Sequence, residues 1–292
     1  MRMERLLFAI LCVSLSAGPS GAEDLSAVEI IRRSVSRDFD TWERARNYIC
    51  LERHVEHRLD GKRRVKSTEI TTYEVLILFG EPYRRLVARD DRPISEKEAR
   101  KEEDKLARLT AERQRETEIE RRKRAAEFDK RRQRGRAFLR EIPEAFDLRL
   151  AGEEVFAGRP VYVIEGVPKP GYRARESMAR MLPKFRGKLW IDKEDYNWVK
   201  LEAESIDTVS FGLLLARLAK GSRVEFEQFR VASDELWLPR RVRVNVGARI
   251  ALVKKISADI EVTYSDYRKF QADSRIVSTS IAPVEEPPLP AK

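Results

Sequence analysis

Few side chains in this sequence could do chemistry, and the two histidines come first among them. His54 and His57 lie in the stretch RHVEH, within a segment that we predict to be a β-strand. Residues three apart on a strand point to opposite faces, so the two imidazole rings cannot bind one metal ion unless a bulge intervenes. The order HxEH also differs from the HExxH motif of zinc-binding helices. We therefore expect exposed histidines and no metal site.

Cys50 is a candidate nucleophile by residue type alone. A reactive thiolate needs a helix start, a cationic neighbour or a histidine that lowers its pKa. The sequence places no helix start near Cys50, and the one histidine nearby on its own strand face is His54, four residues along the chain. A buried structural thiol, packed like a small apolar residue, is therefore the expectation.

Hydroxyl and carboxyl groups give no stronger sign of catalysis. The serine in VSFG lacks the glycine elbow that holds a nucleophilic serine in hydrolases. The carboxylates Glu153–Glu154 and Glu285–Glu286 are adjacent in sequence and indicate surface charge. A carboxylate pair for glycan hydrolysis, assembled from distant segments, remains the alternative. We expect no enzyme and no cofactor.

The N-terminus has the layout of a secretory signal peptide. Arg2 and Arg5 precede the apolar stretch LLFAILCVSLSAG, and Ser20-Gly21-Ala22 offers small residues for cleavage. This stretch is too short and wrongly flanked for a membrane-spanning helix. We predict a signal peptide at residues 1–22, cleaved near Ala22, and an exported mature chain that keeps a single cysteine and has no internal disulfide.

The charge of the chain limits its partners. The formal net charge is +10, of which the signal peptide contributes +1. A basic surface suits nucleic acid, anionic lipid headgroups or acidic glycans. Export argues against nucleic acid, so anionic lipid is favoured over nucleic acid as a partner, but a solvated basic surface without any ligand is favoured over either of them.

Two helical segments are predicted before the middle of the chain. Ser26-x-x-Glu29 is a capping box, and apolar residues follow it at helical spacing, which predicts an amphipathic helix at about 25–46. Residues 94–141 form a second, very different segment, because 27 of the 42 residues from Ser95 to Arg136 are charged. It has too little apolar surface for a core helix, so we predict a salt-bridge-rich helical arm in one or two pieces.

Strands account for the rest. Asp60-Gly61 predicts a tight hairpin between NYICLERHVEHRL and KRRVKSTEITTYEVLIL, and alternating strands resume after Pro143 with short turns between them. A short helix carrying Met178 and Met181 interrupts the series, and the proline-rich tail 276–292 is expected to be disordered. The predicted fold is α+β: one strongly curved antiparallel sheet of about 10–11 strands, an unclosed β-barrel, covered by the N-terminal helix and the short helix, with the arm 94–141 inserted in a domain spanning 23–275.

The apolar face of this sheet is either a filled core or a ligand cavity. A sheet of this extent, if curled, encloses more space than two helices readily fill. The residues expected to line such a cavity are Tyr73, Val75, Ile77, Leu189, Ile191, Val199, Leu201, Phe226, Ile260, Val262 and Tyr264. The residues expected to cover it as a lid are Val28, Ile31, Val35, Trp42, Met178 and Met181. The residue pattern alone leaves the choice between core and cavity open.

The mid-chain hairpin resembles a known family. Its signature is Gly187-x-Leu189-Trp190-Ile191-Asp192, followed by Trp198-Val199-x-Leu201-x-Ala203. With the helix leading into a first strand, this is similar to the periplasmic lipoprotein carriers and outer-membrane receptors of the LolA/LolB type. The resemblance implies an unclosed barrel capped by helices, a periplasmic location, and an apolar hollow that holds acyl chains of a lipid or acylated protein without catalysis.

The arm 94–141 is not part of the usual pattern of that family. It leaves a second hypothesis, a non-transporting envelope module that docks a protein partner or an anionic membrane surface through the charged arm. The carrier and the docking module both predict a noncatalytic protein, and they differ in whether the sheet encloses an occupied hollow.

Overall fold

A computed structural model describes residues 25–211, 216–231, 236–250 and 254–270 of the chain. The predicted signal peptide and the predicted tail lie outside these residues. Among the described residues, no helix has the length and apolar character needed to cross a membrane.

One large antiparallel sheet dominates the fold. Eleven strands are hydrogen-bonded in the order β4-β3-β2-β1-β13-β12-β11-β8-β7-β6-β5. The first and last strands of the sequence, β1 and β13, are therefore neighbours in the middle of the sheet. The strands are β1 Tyr48–Leu59, β2 Val65–Leu78, β3 Glu81–Arg89, β4 Arg92–Pro93, β5 Phe146–Phe156, β6 Arg159–Pro168, β7 Phe185–Asp192, β8 Trp198–Ser205, β11 Arg223–Val231, β12 Leu236–Ile250 and β13 Lys254–Lys269. Two short strands, β9 Val209–Phe211 and β10 Ala216–Leu218, pair with each other, and β10 also pairs with β12. Since β4 and β5 are the ends of this path, the sheet is open, and the predicted fold class is confirmed.

Four helices and two 3-10 segments interrupt the series of strands along the described part of the chain. They are α1 Ala27–Ala45, α2 Glu96–Arg115, α3 Glu118–Ala137 and the single turn α4 Ile142–Ala145, with 3-10 segments at Phe138–Glu141 and Met178–Lys184. Ser26 caps α1 by accepting a hydrogen bond from the backbone N–H of Glu29 at 3.2 Å, as the capping box predicted.

The charged arm consists of two helices. Ser95 and Thr117 each form a capping box, with Glu98 and Glu120 respectively, so the sequence itself starts a helix twice and breaks the arm at residues 116–117. No residue of α3 is buried. This fits the prediction that the arm is not a core helix.

The main core lies between α1 and strands β6 to β8. Its buried members are Ile30, Ile31, Val35, Leu139, Ile164, Leu189, Ile191 and Trp198. We call the sheet face that α1 covers the inner face. A second cluster lies where β1, β11, β12 and β13 meet and includes Tyr48, Cys50, Leu236, Leu238 and Tyr267.

A β-bulge changes the faces within the signature hairpin. Leu189 pairs with Leu201, but Ile191 pairs with Trp198, so β8 has one extra residue between these two pairs. The extra residue brings Trp198 to the inner face with Leu201 and places Val199 in a separate cluster with Val161, Val163 and Trp190. The simple alternation that put Val199 and Leu201 on one face is therefore corrected.

Candidate functional site

A cavity of about 530 Å³ lies between the inner face of the sheet and the helices. Its sheet side is formed by side chains of six strands, β5 to β8, β11 and β12. They are Phe146, Leu148, Ile164, Phe185, Leu189, Trp198, Leu201, Val224, Phe226, Gln228, Trp237 and Pro239. The lining is predominantly apolar, which suits a hydrocarbon guest.

Small residues stand side by side across the sheet at this space. Gly166 pairs with Gly187 and Gly187 with Ala203, so the row across β6, β7 and β8 carries no side chain larger than a methyl group before it reaches Val224 on β11. A Cβ at Gly187 would also lie against the backbone carbonyl oxygen of Glu202, closer than nonbonded atoms approach. A larger residue at Gly187 would therefore require the strand to shift.

The opposite side of the cavity is a lid, by which we mean α1, residues 135–145 and Met178–Lys184. From α1 it receives Ile31, Asp38, Thr41, Trp42 and Ala45. Phe138, Leu139, Ile142, Met181 and Leu182 come from the shorter segments. Gly135 and Arg136 at the end of α3 also line the cavity, so the charged arm contributes to the lid.

Two buried hydrogen bonds connect α1 to the signature hairpin. The Trp198 Nε1–H donates to Ser34 Oγ at 3.0 Å, and the Thr41 hydroxyl donates to Asn197 Oδ1 at 2.5 Å. Ser34, Thr41 and Asn197 are all buried. Because buried polar groups are costly to leave unpaired, these contacts fix α1 at one height and rotation over the sheet.

The turn that presents Asn197 is organised by Asp192. Its Oδ1 accepts hydrogen bonds from the backbone N–H of Glu194 at 2.9 Å and of Asp195 at 3.1 Å, and Arg159 pairs with the same carboxylate. Burial of Asp192 would raise its pKa, but these hydrogen bonds outweigh that effect and lower it. The acidic and polar residues of the hairpin turn thus serve to position α1.

An ion pair closes the lid near the end of α3. Arg136 donates to Asp38, and its guanidinium lies 4.8 Å from the centre of the Trp42 ring. Arg132 covers the same indole at 3.9 Å. Burial raises the pKa of Asp38, and Arg136 opposes that rise. The arm is therefore held against α1 by charge and by cation–π contact rather than by an apolar face.

A buried carboxylate anchors the last part of the lid. Glu141 accepts hydrogen bonds from the Tyr172 hydroxyl at 2.5 Å and from the backbone N–H groups of Arg175 at 3.0 Å and Glu176 at 2.7 Å. Burial alone would raise the pKa of Glu141, yet these donors lower it. They hold the loop that leads to Met181 at the cavity.

Some of the residues predicted from the sequence are brought together at this cavity. They are Leu189, Leu201 and Phe226 from the sheet and Ile31, Trp42 and Met181 from the lid. Ile191 and Val35 lie beside them in the packed core under α1. Val28 is in the first turn of α1, and Met178 is 45 % exposed.

The remaining predicted residues lie elsewhere in the sheet, mostly on the strands beyond β12. Val199 is in the cluster with Val161, and Val75 and Tyr264 pack against the cluster around Cys50. Tyr73 contacts the His54 ring, Ile77 pairs with Pro82, Val262 pairs with Val242, and Ile260 borders a separate polar cavity. Whether any of these residues binds a ligand stays a prediction.

Cys50 and the two histidines do not form a catalytic site within the described part of the chain. Burial, with the nearby Glu52 carboxylate, raises the pKa of Cys50 to about 12, so its thiol is protonated at neutral pH. His54 contacts Glu52 at 2.7 Å, and His57 contacts Thr68 at 2.8 Å. Among the described residues, no three histidine, cysteine or acidic side chains converge as a metal site requires.

Sequence reasoning missed the small floor residues, the end of α3 and Gln228. The floor had a signal, because Gly166, Gly187 and Ala203 follow Glu165, Arg186 and Glu202 in alternation. Small residues at the apolar positions of neighbouring strands predict a hollow once it is known which residues pair across those strands. The sequence of a single strand does not show this pairing.

Comparison with known proteins gives structural neighbours alone. No family model and no curated protein matches the chain. It is similar to a putative outer membrane lipoprotein-sorting protein domain from Vibrio parahaemolyticus, at 11 % identity and TM-score 0.31 over 84 % of this chain and 95 % of that one. A DUF1329 family protein from Desulfovibrio piger matches at 11 % identity and TM-score 0.35, over 84 % and 94 %. A LolA superfamily protein from Nitrosomonas europaea matches at 10 % identity and TM-score 0.28, over 85 % and 94 %. The family that the hairpin resembles is thus represented among these structures.

Proposed function

We propose that the protein is a periplasmic carrier that holds an acyl chain of a lipid or acylated protein in its cavity, without catalysis. The observation that supports this function is the apolar space left between the lid and the sheet. This space is open to solvent, and its volume of about 530 Å³ is within the range of ligand sites. Its apolar lining distinguishes it, because a second cavity of about 600 Å³ is lined largely by charged and polar residues.

The volume fits one hydrocarbon chain. A water-sized group occupies about 30 Å³ in a liquid, and a methylene group is of similar size, so the cavity has room for roughly 18 such groups. Each methylene removed from water contributes about 0.8 kcal/mol, so a dozen buried methylenes contribute about 10 kcal/mol before the entropy of binding is subtracted. After a binding cost of at least about 4 kcal/mol, about 6 kcal/mol or less remains, which corresponds to a dissociation constant of tens of micromolar or weaker.

The outward side of α3 supports delivery to or from an anionic membrane. Lys123, Lys130 and Arg134 are exposed on one side of the helix, at helical spacing, and have no ion pair in the part of the chain that the structure describes. Ile119, on the same side, is 80 % exposed. Basic residues gain about 1 kcal/mol each near an anionic membrane surface, and the end of α3 lies beside the cavity at Gly135 and Arg136.

A lipid inventory tests the carrier function. Protein purified from its native periplasm should contain phospholipid or acylated protein detectable by mass spectrometry. Leu201→Glu places a charge in the cavity wall and should abolish that content, because a buried carboxylate in an apolar site is strongly unfavourable. Val155→Glu is the matched control, since Val155 is 75 % exposed on the edge strand β5. Equal lipid content in the two folded variants would contradict the proposal.

Vesicle binding tests the role of the arm. The triple variant Lys123→Glu, Lys130→Glu, Arg134→Glu should lose binding to vesicles containing phosphatidylglycerol while keeping its lipid content. The matched control reverses Lys62, Arg63 and Lys66, which are exposed on the distant β1–β2 hairpin. Unchanged vesicle binding in the α3 variant would favour the docking of a protein partner instead.

A further inference from the structure

One polar side chain in the cavity wall has no partner. Gln228 on β11 is 8 % exposed and lines the cavity. Its Oε1 atom is buried and accepts no hydrogen bond within the part of the chain that the structure describes. Buried polar atoms without a partner are uncommon in proteins, and each requires a specific explanation.

The local structure explains why the protein itself does not satisfy Gln228. The residue opposite it on β12 is Pro239, which has no backbone N–H to donate. The carbonyl of Pro239 already accepts the Tyr267 hydroxyl at 2.8 Å. Phe226 and Trp237, which also line the cavity here, present apolar surface on either side along the strands.

The other polar groups of the wall already have partners. The Trp237 Nε1–H donates to Asp195 Oδ2 at 2.8 Å, the Trp198 indole donates to Ser34, and Thr41 donates to Asn197. Arg136 also has a buried Nε without an acceptor, but this guanidinium is paired with Asp38 through another nitrogen. Gln228 therefore differs from these residues in having a buried amide oxygen free for a guest.

An unsubstituted hydrocarbon chain in the cavity would leave the Gln228 amide in a less favourable environment than water does. It would exclude water from the cavity and leave the amide facing methylene groups, which costs free energy. A hydroxyl group can both donate and accept, so it can pair with the amide in either orientation of its oxygen and nitrogen. A hydroxyl can also be attached partway along a chain, with hydrocarbon on both sides, as the apolar neighbours of Gln228 require.

We propose that Gln228 binds a hydroxyl group on the acyl chain of the ligand, so that the cavity selects hydroxylated acyl chains over unsubstituted ones. This inference rests on the proposed carrier function, because it concerns the guest of the same cavity. It assigns Gln228 to ligand selection and the apolar wall to affinity.

Binding of matched fatty acids tests the inference. The probes are hexadecanoic acid and a set of hexadecanoic acids with one hydroxyl each, at different carbons. Their dissociation constants for the delipidated mature protein are measured by displacement of a fluorescent fatty acid. One positional isomer should bind about tenfold more tightly than hexadecanoic acid, as expected for a single buried hydrogen bond that also satisfies Gln228.

Substitution of Gln228 should remove this preference. In Gln228→Met, a side chain of similar length without the amide, the favoured isomer should lose its tenfold advantage while hexadecanoic acid binds at least as tightly as before. Gln114→Met, on the exposed surface of α2, is the control. Gln228→Leu repeats the test if the methionine variant does not fold.

The outcomes separate the two proposals. A positional preference that survives in both Gln228 variants, or no preference in the unaltered protein, overturns the hydroxyl site and leaves the carrier function standing. Failure of every fatty acid to bind the unaltered protein overturns the carrier function as well. If the hydroxyl site is overturned and fatty acids still bind, the Gln228 amide is paired with water.

Discussion

Filling the hollow above the sheet should stabilise the protein, and Ala203→Leu is the substitution that shows it. Ala203 lies in the row of small residues on the cavity floor, between Gly187 on β7 and Val224 on β11. Gly187 itself cannot serve, because its Cβ would collide with the backbone of Glu202. A side chain added at Ala203 extends into the cavity instead.

The sign of the effect separates a hollow from a filled core. Leucine adds three carbon atoms to alanine, and at about 0.8 kcal/mol for each buried methylene the gain is at most about 2.4 kcal/mol. Loss of leucine rotamer freedom takes back about 0.5–1 kcal/mol. The free energy of unfolding should therefore rise by about 1–2 kcal/mol, with a Tm increase of roughly 2–8 °C. In a filled core the same change would cost about 1–3 kcal/mol.

Thermal and urea unfolding of the delipidated protein measure this effect, and fatty-acid displacement measures its consequence for binding. Ala203→Leu should raise stability and weaken binding of a 16-carbon acid in the same protein, since the side chain takes the place of part of the guest. Ala258→Leu is the control, because Ala258 is only 2 % exposed and should be destabilised by the larger residue. A loss of stability at Ala203 with unchanged binding would refute the hollow.

Three further predictions concern the lid. Trp198→Phe removes the hydrogen bond to Ser34, which should cost about 1–3 kcal/mol in urea unfolding, and adding Ser34→Ala should restore part of it. Glu141 has a lowered pKa, so its stabilising effect is full above the ordinary value of 4.5 and is lost as the pH falls through the lower folded value; Glu141→Gln should flatten that dependence in unfolding measured from pH 7 to pH 3. Burial raises the pKa of Asp38 in the closed lid, so the closed state binds a proton more tightly than an open state in which Asp38 meets water; acidification through that value should favour the closed lid and slow fatty-acid release in stopped-flow exchange, and Asp38→Asn should weaken this pH dependence. A release rate with the same pH dependence in both proteins would show that Asp38 does not become exposed when the guest leaves.

The elements with strong local signals were predictable from the sequence. The capping box at Ser26 and the apolar spacing after it predicted a helix at 25–46, and α1 spans Ala27–Ala45. Asp60-Gly61 predicted a tight hairpin between β1 and β2; these strands do pair as a hairpin, but residues 60–64 connect them and the positive φ falls at Arg63. In each case a few adjacent residues determine the backbone conformation, so no distant contact is needed.

The bulge in β8 was not predictable because it depends on the partner strand. Lys188 pairs with Glu202 in normal alternation, and the shift appears only between Trp190 and Ile191. The indole of Trp198 finds its hydrogen-bond acceptor on α1 in the inner position, which offsets the loss of regular pairing. That acceptor lies 164 residues away in the chain, so the alternation within one strand could not reveal it.

The contribution of the arm to the lid was missed for a related reason. An apolar stripe is the usual sign of a packed helix, and α3 has almost none. It packs instead through Arg132 and Arg136, whose guanidinium groups cover the Trp42 ring. Arginine and lysine can cover apolar surface with their methylene stems while the charged head stays in water. A count of charged residues therefore cannot distinguish this helix from a solvated one.

The polar contacts of α1 explain why the cavity does not collapse. An amphipathic helix held only by apolar contacts would settle onto the row of Gly166, Gly187 and Ala203, since that movement would bury more surface. Hydrogen bonds have a narrow range of length, and Ser34 and Thr41 are both tied to the signature hairpin beside this row. Settling would break these buried bonds, at about 1–3 kcal/mol for each group left unpaired. The same hairpin therefore supplies part of the hollow floor and the fixed supports that keep the lid above it.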